Sequence, residues 1–500
     1  VAVRTALGAR GRRILSQLLT ESALLGLIGG LLGIVLAFAG VWAFEALNPG
    51  DIPLIQRITV DGPVLAFAVA VSLLTGLLFG LVPARRAGRL DVSGMLRDGA
   101  RGGEDRERGR LRNALVVVEI ALALVLLTGA GLLFNSFVRL QLVDPGFDPA
   151  GLVGIELSLE GERYTEETRA AFVQRVDERL ENLPGVVGAA AAITIPFQYF
   201  GQGRSGWFQS SWETAEGEER RISTMLHPAT SDYFDLLGVD LRGRTFEPGD
   251  ETAEPMPVIV SDTFAEEFCP GEYALGQIVK GTGNLREIRI VGIVSGLHAW
   301  GLDQGSQETI YLPWEQSGAS IPMTCLLVRT ERDPGAMIPT LREAIWALDP
   351  DMPLPNIFTL EQRISESLTV PKFYSALLGT FAVVAILLAA GGVYGSMLYS
   401  VGRRRREMGI RTALGADRAR LLRMVLSRSG RLTALGVVLG AAGAFGLTRF
   451  LESMMFGIST TDPVTFIGVA LLMALTAIGA ALMPAWQAAS ADPMEALRRE

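Results

Sequence analysis

Lysine, histidine and cysteine are nearly missing from this sequence. Cysteine occurs twice, as Cys269 and Cys325, too few and too far apart for a disulfide framework, though a single bridge between them stays open. Histidine also occurs twice, as His227 and His298, neither at metal-ligand spacing from a cysteine or from the other. Lysine is confined to Lys280 and Lys372, so nearly all positive charge is arginine, which reads as genomic bias. No G-x-x-x-x-G-K-S/T string is present, so the chain cannot cradle ATP phosphates itself. The string "GQGRSG" at 201–206 fits G-x-G-x-x-G, but no strand pattern leads into it and no helical pattern follows. Carboxylates are abundant and scattered, as on a solvated acidic surface. These absences argue against an enzyme: no catalytic residue, metal site or cofactor of the chain's own is expected.

What is present is a series of long apolar runs. A helix needs about 20 apolar residues to cross the hydrocarbon core. Residues 22–44, 62–84 and 373–402 carry no charge, and 114–136 carry only Glu119. A shorter run at 432–448 has Arg428, Arg431 and Arg449 near its ends, and residues 463–491 are charge-free, with Pro484 a natural end to the helix. The expected fold is therefore a multi-pass α-helical membrane protein with six spans, about 22–44, 62–84, 113–137, 373–402, 428–449 and 463–484. Arginine alternates between their ends. Residues 1–16 carry four, 85–112 nine and 403–423 eight, while 45–61 have only Arg57 and 450–462 none. By the positive-inside bias, both termini and the two arginine-rich loops face the cytoplasm. Glu21 and Glu119 then sit at cytoplasmic span ends, within reach of interfacial water or a neighbouring arginine.

Residues 141–371 hold 36 acidic and 16 basic side chains, and this block falls outside the membrane between the third and fourth spans. It reads as a large α+β extracytoplasmic domain. Residues 152–159 alternate as a strand, 168–183 have a helical period stopped by Pro184-Gly185, and 186–194 return as a strand. The same order recurs at 325–330, 334–348 and 353–360. Two such units suggest a ferredoxin-like split βαβ, interrupted by an inserted strand-rich subdomain at about 225–315. Trp207, Phe208 and Trp212, beside the polar "ETAEGEE" at 213–219, suit a partner contact and core packing equally.

The chain repeats itself. RTALGA stands at 4–9 and again at 411–416, and each copy is followed by a span, an outside loop and a further span. The copies end in "PARRAGRLDVSGMLR" at 83–97 and "PAWQAASADPMEALR" at 484–498. Such self-similarity signals a duplicated unit. The second unit is complete, whereas the first starts mid-unit, so the chain is expected to be the later part of a longer duplicated protein. In "GRRRREMGIRTALGADRARLLRMVL", Arg403 to Arg406 and Arg411 suit anionic headgroups, and Met408, Ile410 and Leu414 form an apolar face. Ala413, Gly415 and Ala416 let another backbone approach closely, and Asp417 is placed to cap the next helix. A repeated small-residue turn favours a docking site over a simple lipid anchor.

These residues carry a resemblance. "REMGIRTALGA", the three-span topology after it and the closing "PAxxAxxxDPxxxLR" pattern resemble the FtsX/MacB-type permeases of ABC transporters, in particular the tandem, acidobacterial duplicated type. "SDYFDLLGVDLRGRTF" at 231–246, "PVIVSDTFAEEF" at 257–268 and "IRIVGIVSGL" at 288–297 resemble MacB-type periplasmic motifs. Cys269 departs from the pattern, which has tryptophan before Pro-Gly. The resemblance implies an FtsX-like unit at 1–100, a basic linker at 101–112 and a first span at 113–137. A MacB-like periplasmic domain at 138–371 and a second FtsX-like unit at 372–500 complete it. It also implies that Arg4, Ala6, Leu7, Gly8 and Ala9, with Glu407, Met408, Ile410, Arg411, Ala413, Leu414, Gly415 and Ala416, contact a separate ABC ATPase dimer that binds the ATP. The membrane subunit would turn ATPase closure into movement of its periplasmic domain, for efflux or mechanotransmission at the bacterial inner membrane. Membrane lipid and a periplasmic adaptor or hydrolase are further expected partners, and nucleic acid is not. The alternatives are a signalling scaffold that activates a periplasmic cell-wall hydrolase and, with less support, a membrane-bound extracytoplasmic enzyme.

Overall fold

The computed structural model describes residues 11–47, 60–87, 103–198, 207–213, 219–269, 274–281, 287–317, 323–353, 355–403, 407, 410 and 417–489. Two compact units divide the chain. One comprises Val1–Ile120, Ala389–Gly436 and Thr476–Glu500, and the other Ala121–Leu388 and Val437–Leu475.

The first unit opens with a helical hairpin. Helix α1 (Gly11–Leu47) and helix α2 (Gly62–Ala87) follow the first two apolar runs. Asp61 starts α2 by accepting the Val64 N–H at 3.1 Å, the usual work of an aspartate at a helix N-terminus. The two helices touch through their smallest residues. A Cβ added at Gly26 would lie 2.8 Å from the Ser72 carbonyl oxygen, and one at Gly76 would lie 2.8 Å from that of Ser22. In lipid, where no hydrophobic effect drives helices together, such backbone approach is what holds them.

Helix α3 (Gly103–Gln141) leads from the basic linker into the acidic block. There the chain forms β1 (Leu152–Ser158), α4 (Glu166–Glu181), β2 (Val186–Ala192), β3 (Trp207–Glu213), β4 (Glu219–Ala229), α5 (Asp232–Leu237) and β5 (Asp240–Gly243). Next come β6 (Met256–Ser261), α6 (Asp262–Phe268), β7 (Ile278–Lys280), β8 (Glu287–Ser295), β9 (Thr309–Pro313) and α7 (Trp314–Ser317). The block closes with β10 (Met323–Thr330), α8 (Pro334–Trp346), β11 (Asn356–Thr359) and α9 (Leu360–Ser367).

The described strands join one mixed sheet of 11, in the order β11-β1-β10-β2-β4-β9-β6-β8-β5, with β3 on β4 and β7 on β8. Side chains alternate between its faces as strand geometry requires. On one face, Ile155, Leu326 and Val328 pack with Phe172, Val176 and Leu180 of α4 and Leu341 and Ile345 of α8. Further along, Val258, Val260, Ile288 and Ile310 pack with Trp212, Phe264 and Phe268. The opposite face carries a core common to both ends, from Leu327 and Cys325 through Tyr233, Phe234 and Tyr311 to Ile259 and Val294. Trp212 is fully buried and edge-on to Phe264 at 5.6 Å, so it is a core residue. Cys269 and Cys325 are free and buried in different cores.

Ahead of the stretch at about 225–315, β3 starts at Trp207 and pairs antiparallel with β4, and β4 joins β2 through the pair Ala192 and Ala229.

Helices α10 (Thr369–Arg403), α11 (Arg418–Leu447) and α12 (Pro463–Ala489) complete the chain, with a 3₁₀ turn at Thr448–Met454 extending α11. Among the described residues, five stretches are long and apolar enough to cross a membrane: Leu19–Trp42, Arg112–Gln141, Leu360–Gly402, Leu422–Met454 and Pro463–Gln487. The sixth expected span coincides with α2, whose described apolar stretch is Gly62–Leu77. Pro484 does not end the last helix, which continues to Ala489. A proline removes one backbone bond, and inside a membrane helix that loss is tolerated.

Candidate coupling segment and transmission helices

Most of the expected coupling residues lie outside the described part of the chain. These are Arg4, Ala6, Leu7, Gly8 and Ala9 in the first copy, and Met408, Arg411, Ala413, Leu414, Gly415 and Ala416 in the second. Glu407 and Ile410 are helical and exposed. Asp417 immediately precedes α11, at the expected cap position, and its carbonyl accepts the Arg420 N–H at 3.0 Å. The segment is thus flanked by the end of α10 at Arg403 and the start of α11 at Arg418. The "GQGRSG" string also falls outside the described residues.

Three contacts that the sequence reading missed tie the adjoining helices together in the first unit. The Arg112 guanidinium of α3 stacks over the Tyr399 ring of α10 at 4.0 Å, an arginine–aromatic contact that gains strength out of water. One face along, the Glu119 carboxylate fills the space over Gly392, where any side chain would overlap it. Glu119 makes no ion pair with an arginine among the described residues. Ile120 meets α11 at Gly436, where an added Cβ would lie 2.6 Å from its Cγ2. The available signal was the small-residue pattern of "AAGGVYG" and "GVVLGAAG", which marks helix faces that approach closely.

The second unit holds the outer ends of the same helices. Ser136 of α3 accepts the Phe456 N–H at 2.7 Å, and Arg139 donates to the Gly457 carbonyl at 2.7 Å. Ser375 of α10 donates to the Leu133 carbonyl at 3.2 Å. Gly440 of α11 has the Ala121 carbonyl 2.8 Å from where its Cβ would be. Helix α3 is the axle of this arrangement, half of its apolar stretch being buried in protein against 6% for that of α1.

Among the described residues no cluster of histidine, cysteine, aspartate or glutamate is arranged to hold a metal ion. His227 is buried between the rings of Tyr233 and Tyr311, at 5.3 and 5.0 Å, with Nε2 donating to the Thr194 carbonyl at 2.9 Å. Burial pushes its pKa down to about 4, so it is a neutral core histidine. Cys325 donates to the Gln198 side-chain oxygen at 3.0 Å, and burial pushes its thiol far above the usual range, opposite to what a nucleophile needs. Asp250 is clamped by two bonds from Arg244, at 2.6 and 3.0 Å, which hold its carboxyl below the usual range.

The pattern of family matches follows this architecture. The FtsX-like permease C-terminal model matches residues 1–92 and again 379–493, and the MacB-like periplasmic core domain model matches 114–348. The chain belongs to the MacB/FtsX-type ABC transporter permease family. The permease is 26% identical over 312 residues to the macrolide export ATP-binding/permease protein MacB of Acinetobacter baylyi, a match covering 58% of this chain and 45% of that protein. A similar match, 26% over 298 residues, relates it to the probable syringafactin export ATP-binding/permease protein SyfD of Pseudomonas syringae, covering 56% and 42%. The uncharacterized ABC transporter permease YknZ of Bacillus subtilis is 26% identical over 298 residues, covering 57% of this chain and 72% of that one. The chain therefore spans under half the length of the MacB and SyfD relatives. The permease is a multi-pass inner-membrane protein whose periplasmic segment lies between α3 and α10.

Proposed function

We propose that this permease is the membrane subunit of an ABC transporter complex, coupling ATP hydrolysis on a separate ATPase dimer to movement of its periplasmic domain. The observation that carries this reading is that one permease model falls on both stretches that contain RTALGA. An ATPase dimer presents two equivalent docking grooves, and a duplicated permease fills each with one copy. Residues 1–100 and 372–500 are accordingly read as paired units, with Arg4 to Ala9 and Glu407 to Ala416 as the contact segments. Helix α10 supports the transmission step: its 35 residues run from the end of the periplasmic domain to the edge of the second segment. At 1.5 Å per residue this is a rod of roughly 50 Å. The strand order β11-β1-β10-β2, with α4 and α8 on one face, supports the ferredoxin-like reading of the domain that would be moved. The names of the MacB and SyfD relatives favour export as the outcome.

The test is co-purification of the full chain with an ABC ATPase encoded beside it. Gly415→Asp would bury an unpaired charge at the docking surface, which costs on the order of several kcal/mol of association. The variant should insert normally, yet lose both ATPase capture and stimulation of ATP hydrolysis. If capture and stimulation persist in Gly415→Asp and in Ala413→Asp, the segment is a lipid anchor and the coupling reading fails.

A further inference from the structure

We propose that the face of α1 carrying Gly29 and Gly33 is a docking surface for a second transmembrane helix of the α3 kind. Counted from the paired RTALGA strings, α1 and α11 run in register without a gap. Ser22 stands with Ser429, Leu25 with Leu432, Gly29 with Gly436, Gly33 with Gly440 and Phe38 with Phe445. Residues four apart share one face of a helix, so each copy presents its two glycines as a single notch.

In the second copy α3 fills the notch. A Cβ added at Gly436 would lie 2.6 Å from Ile120 Cγ2 and 3.1 Å from the Val117 carbonyl oxygen. One added at Gly440 would lie 2.8 Å from the Ala121 carbonyl oxygen and 2.9 Å from Leu124 Cβ, and Ala444, one turn on, is buried. In the first copy the same positions are open. Nothing lies within 4 Å of a Cβ built at Gly29 or Gly33, and both glycines and Ala37, the counterpart of Ala444, are exposed. The hairpin does not use them, because α1 meets α2 through Gly26 and Gly30. There the added Cβ atoms would lie 2.8 Å from the Ser72 carbonyl oxygen and 2.6 Å from its hydroxyl. Glycine is a poor helix former, and a helix in lipid gains from it only where another backbone comes close. The pair packs a helix in one copy and meets none in the other, and that difference marks the surface.

What α3 presents to α11 defines the occupant. Its contact face sets a β-branched residue beside a small one, Ile120 and Ala121, with Leu124 one turn later. The contacts advance in the same direction on both helices, so the occupant lies parallel to α1. The chain's own α3 cannot serve both notches, since these residues already sit on Gly436 and Gly440. The two copies differ at one point. Gly443, whose added Cβ would lie 3.4 Å from Val125 Cγ2, has Leu36 as its counterpart. The occupant of the first notch therefore needs a residue smaller than valine where α3 has Val125. Its pattern is Ile-Ala-x-x-Leu-Ala within an apolar helix.

The test uses the full chain in phosphatidylcholine nanodiscs, with an acceptor dye on Trp42→Cys, an exposed position near the end of α1. The native cysteines are buried and stay unlabelled. The probe is a synthetic helix of residues 110–141 carrying Val125→Ala and a donor dye at its carboxyl end. Energy transfer should rise saturably above that of a scrambled peptide. Gly29→Ile combined with Gly33→Ile alters open positions only, so helix content and thermal unfolding should match those of the parent chain. Affinity for the probe should nevertheless fall at least about tenfold, as overpacked contacts do. Ala121→Phe in the probe should do the same, and restoring Val125 should weaken binding to a smaller degree. Transfer no greater than that of the scrambled peptide would overturn the proposal, leaving the face to lipid. Transfer unchanged in the double variant would also overturn it, because the probe would then have displaced α3 from α11. So would peptide-free transfer between differently labelled chains, held two to a nanodisc and lost in the double variant, since the occupant would then be a second copy.

Discussion

The two ends of the periplasmic sheet are built on opposite plans. At one end β11, β1, β10 and β2 are all antiparallel, and no two neighbours are consecutive in the chain. At the other, β4, β9, β6, β8 and β5 include two parallel pairs, and every strand lies within a single stretch of sequence, 219–313. The ends meet at one register pair, Ala192 with Ala229, flanked by backbone bonds from Ile193 to Pro228 at 3.2 Å and from Thr230 to Ala191 at 2.9 Å. They share a core on one face and have separate cores on the other. A sheet assembled this way can lose one private core while the other persists, and only the common face couples them.

The largest effect should come from Phe264→Ala. Phe264 is fully buried between Trp212 and Phe268, at ring distances of 5.6 and 4.7 Å. Truncating such a phenylalanine costs about 3–5 kcal/mol. Hydrogen exchange should accelerate in β6, α6 and β8, with α4 and α8 keeping their protection. Equal acceleration at both ends would mean that the sheet opens as one unit.

Arg329→Met should act on the other end. The guanidinium donates to the Leu236 carbonyl at 2.9 and 2.7 Å and to the Asp148 carboxylate at 3.0 Å, strapping β10 to the end of α5. Losing these partly buried charged bonds should cost about 2–4 kcal/mol, seen as an earlier denaturation midpoint and faster exchange in β10 and β1. Arg329→Lys should recover only part of the loss, because one ammonium cannot reproduce the fork.

The pH dependence separates the seam from the first end. His227 contacts Thr194, Tyr233 and Tyr311 where the two ends meet. Its folded pKa of about 4 lies below the free value of 6.5, so in that window the unfolded chain binds the extra proton. The contribution is complete above about pH 6.5 and is lost as pH falls toward 4, by on the order of 3 kcal/mol. Denaturation of wild type and His227→Phe at pH 7.5 and 4.5 checks this, since the variant should lose the acid-side slope.

Asp177 on α4 should show the smallest effect, with the opposite sign. Burial first, then the carboxylates of Glu181, Asp232 and Glu178, push its pKa up to about 7. The folded state keeps its proton after the unfolded chain has released it, so stability falls as pH rises from about 4 to 7. Asp177→Asn should stabilise the protein by about 1–2 kcal/mol at pH 8, after allowance for solvent screening, and leave it nearly unchanged at pH 4. A variant with the same stability as wild type at pH 8 would mean that Asp177 is solvated.

How much of this was legible in the sequence follows the same division. At the first end, β1 and β2 fall on the apolar runs at 152–159 and 186–194, and Pro184-Gly185 separates α4 from β2. The insert reads as strand-rich from about 225, and the structure adds β3 at Trp207–Glu213, paired antiparallel with β4. Trp212 could not be assigned between partner and core, since a buried aromatic and an exposed one look alike beside a polar loop. The spans stood out because charge is so costly in lipid. The contacts between them did not: Glu119 over Gly392 and Arg112 over Tyr399 depend on helix rotation, which a charge-free run leaves undetermined. The coupling residues are an implication of the resemblance carried by REMGIRTALGA, and of these only Glu407 and Ile410 lie among the described residues.

The topology of the first end also sets an order of events during biogenesis. Strands β1 and β2 emerge early on the periplasmic side, yet they do not pair with each other. Both pair with β10, which is made roughly 130 residues after β2, so their union must close a very long loop. Until then β1 has no neighbour in the sheet, and its unpaired edge is open to other chains. The insert meanwhile contains all the partners that its own strands need, apart from the Ala192 seam. It can therefore mature first and present β4 as a template beside which β2, then β10, then β1 and β11 are laid down.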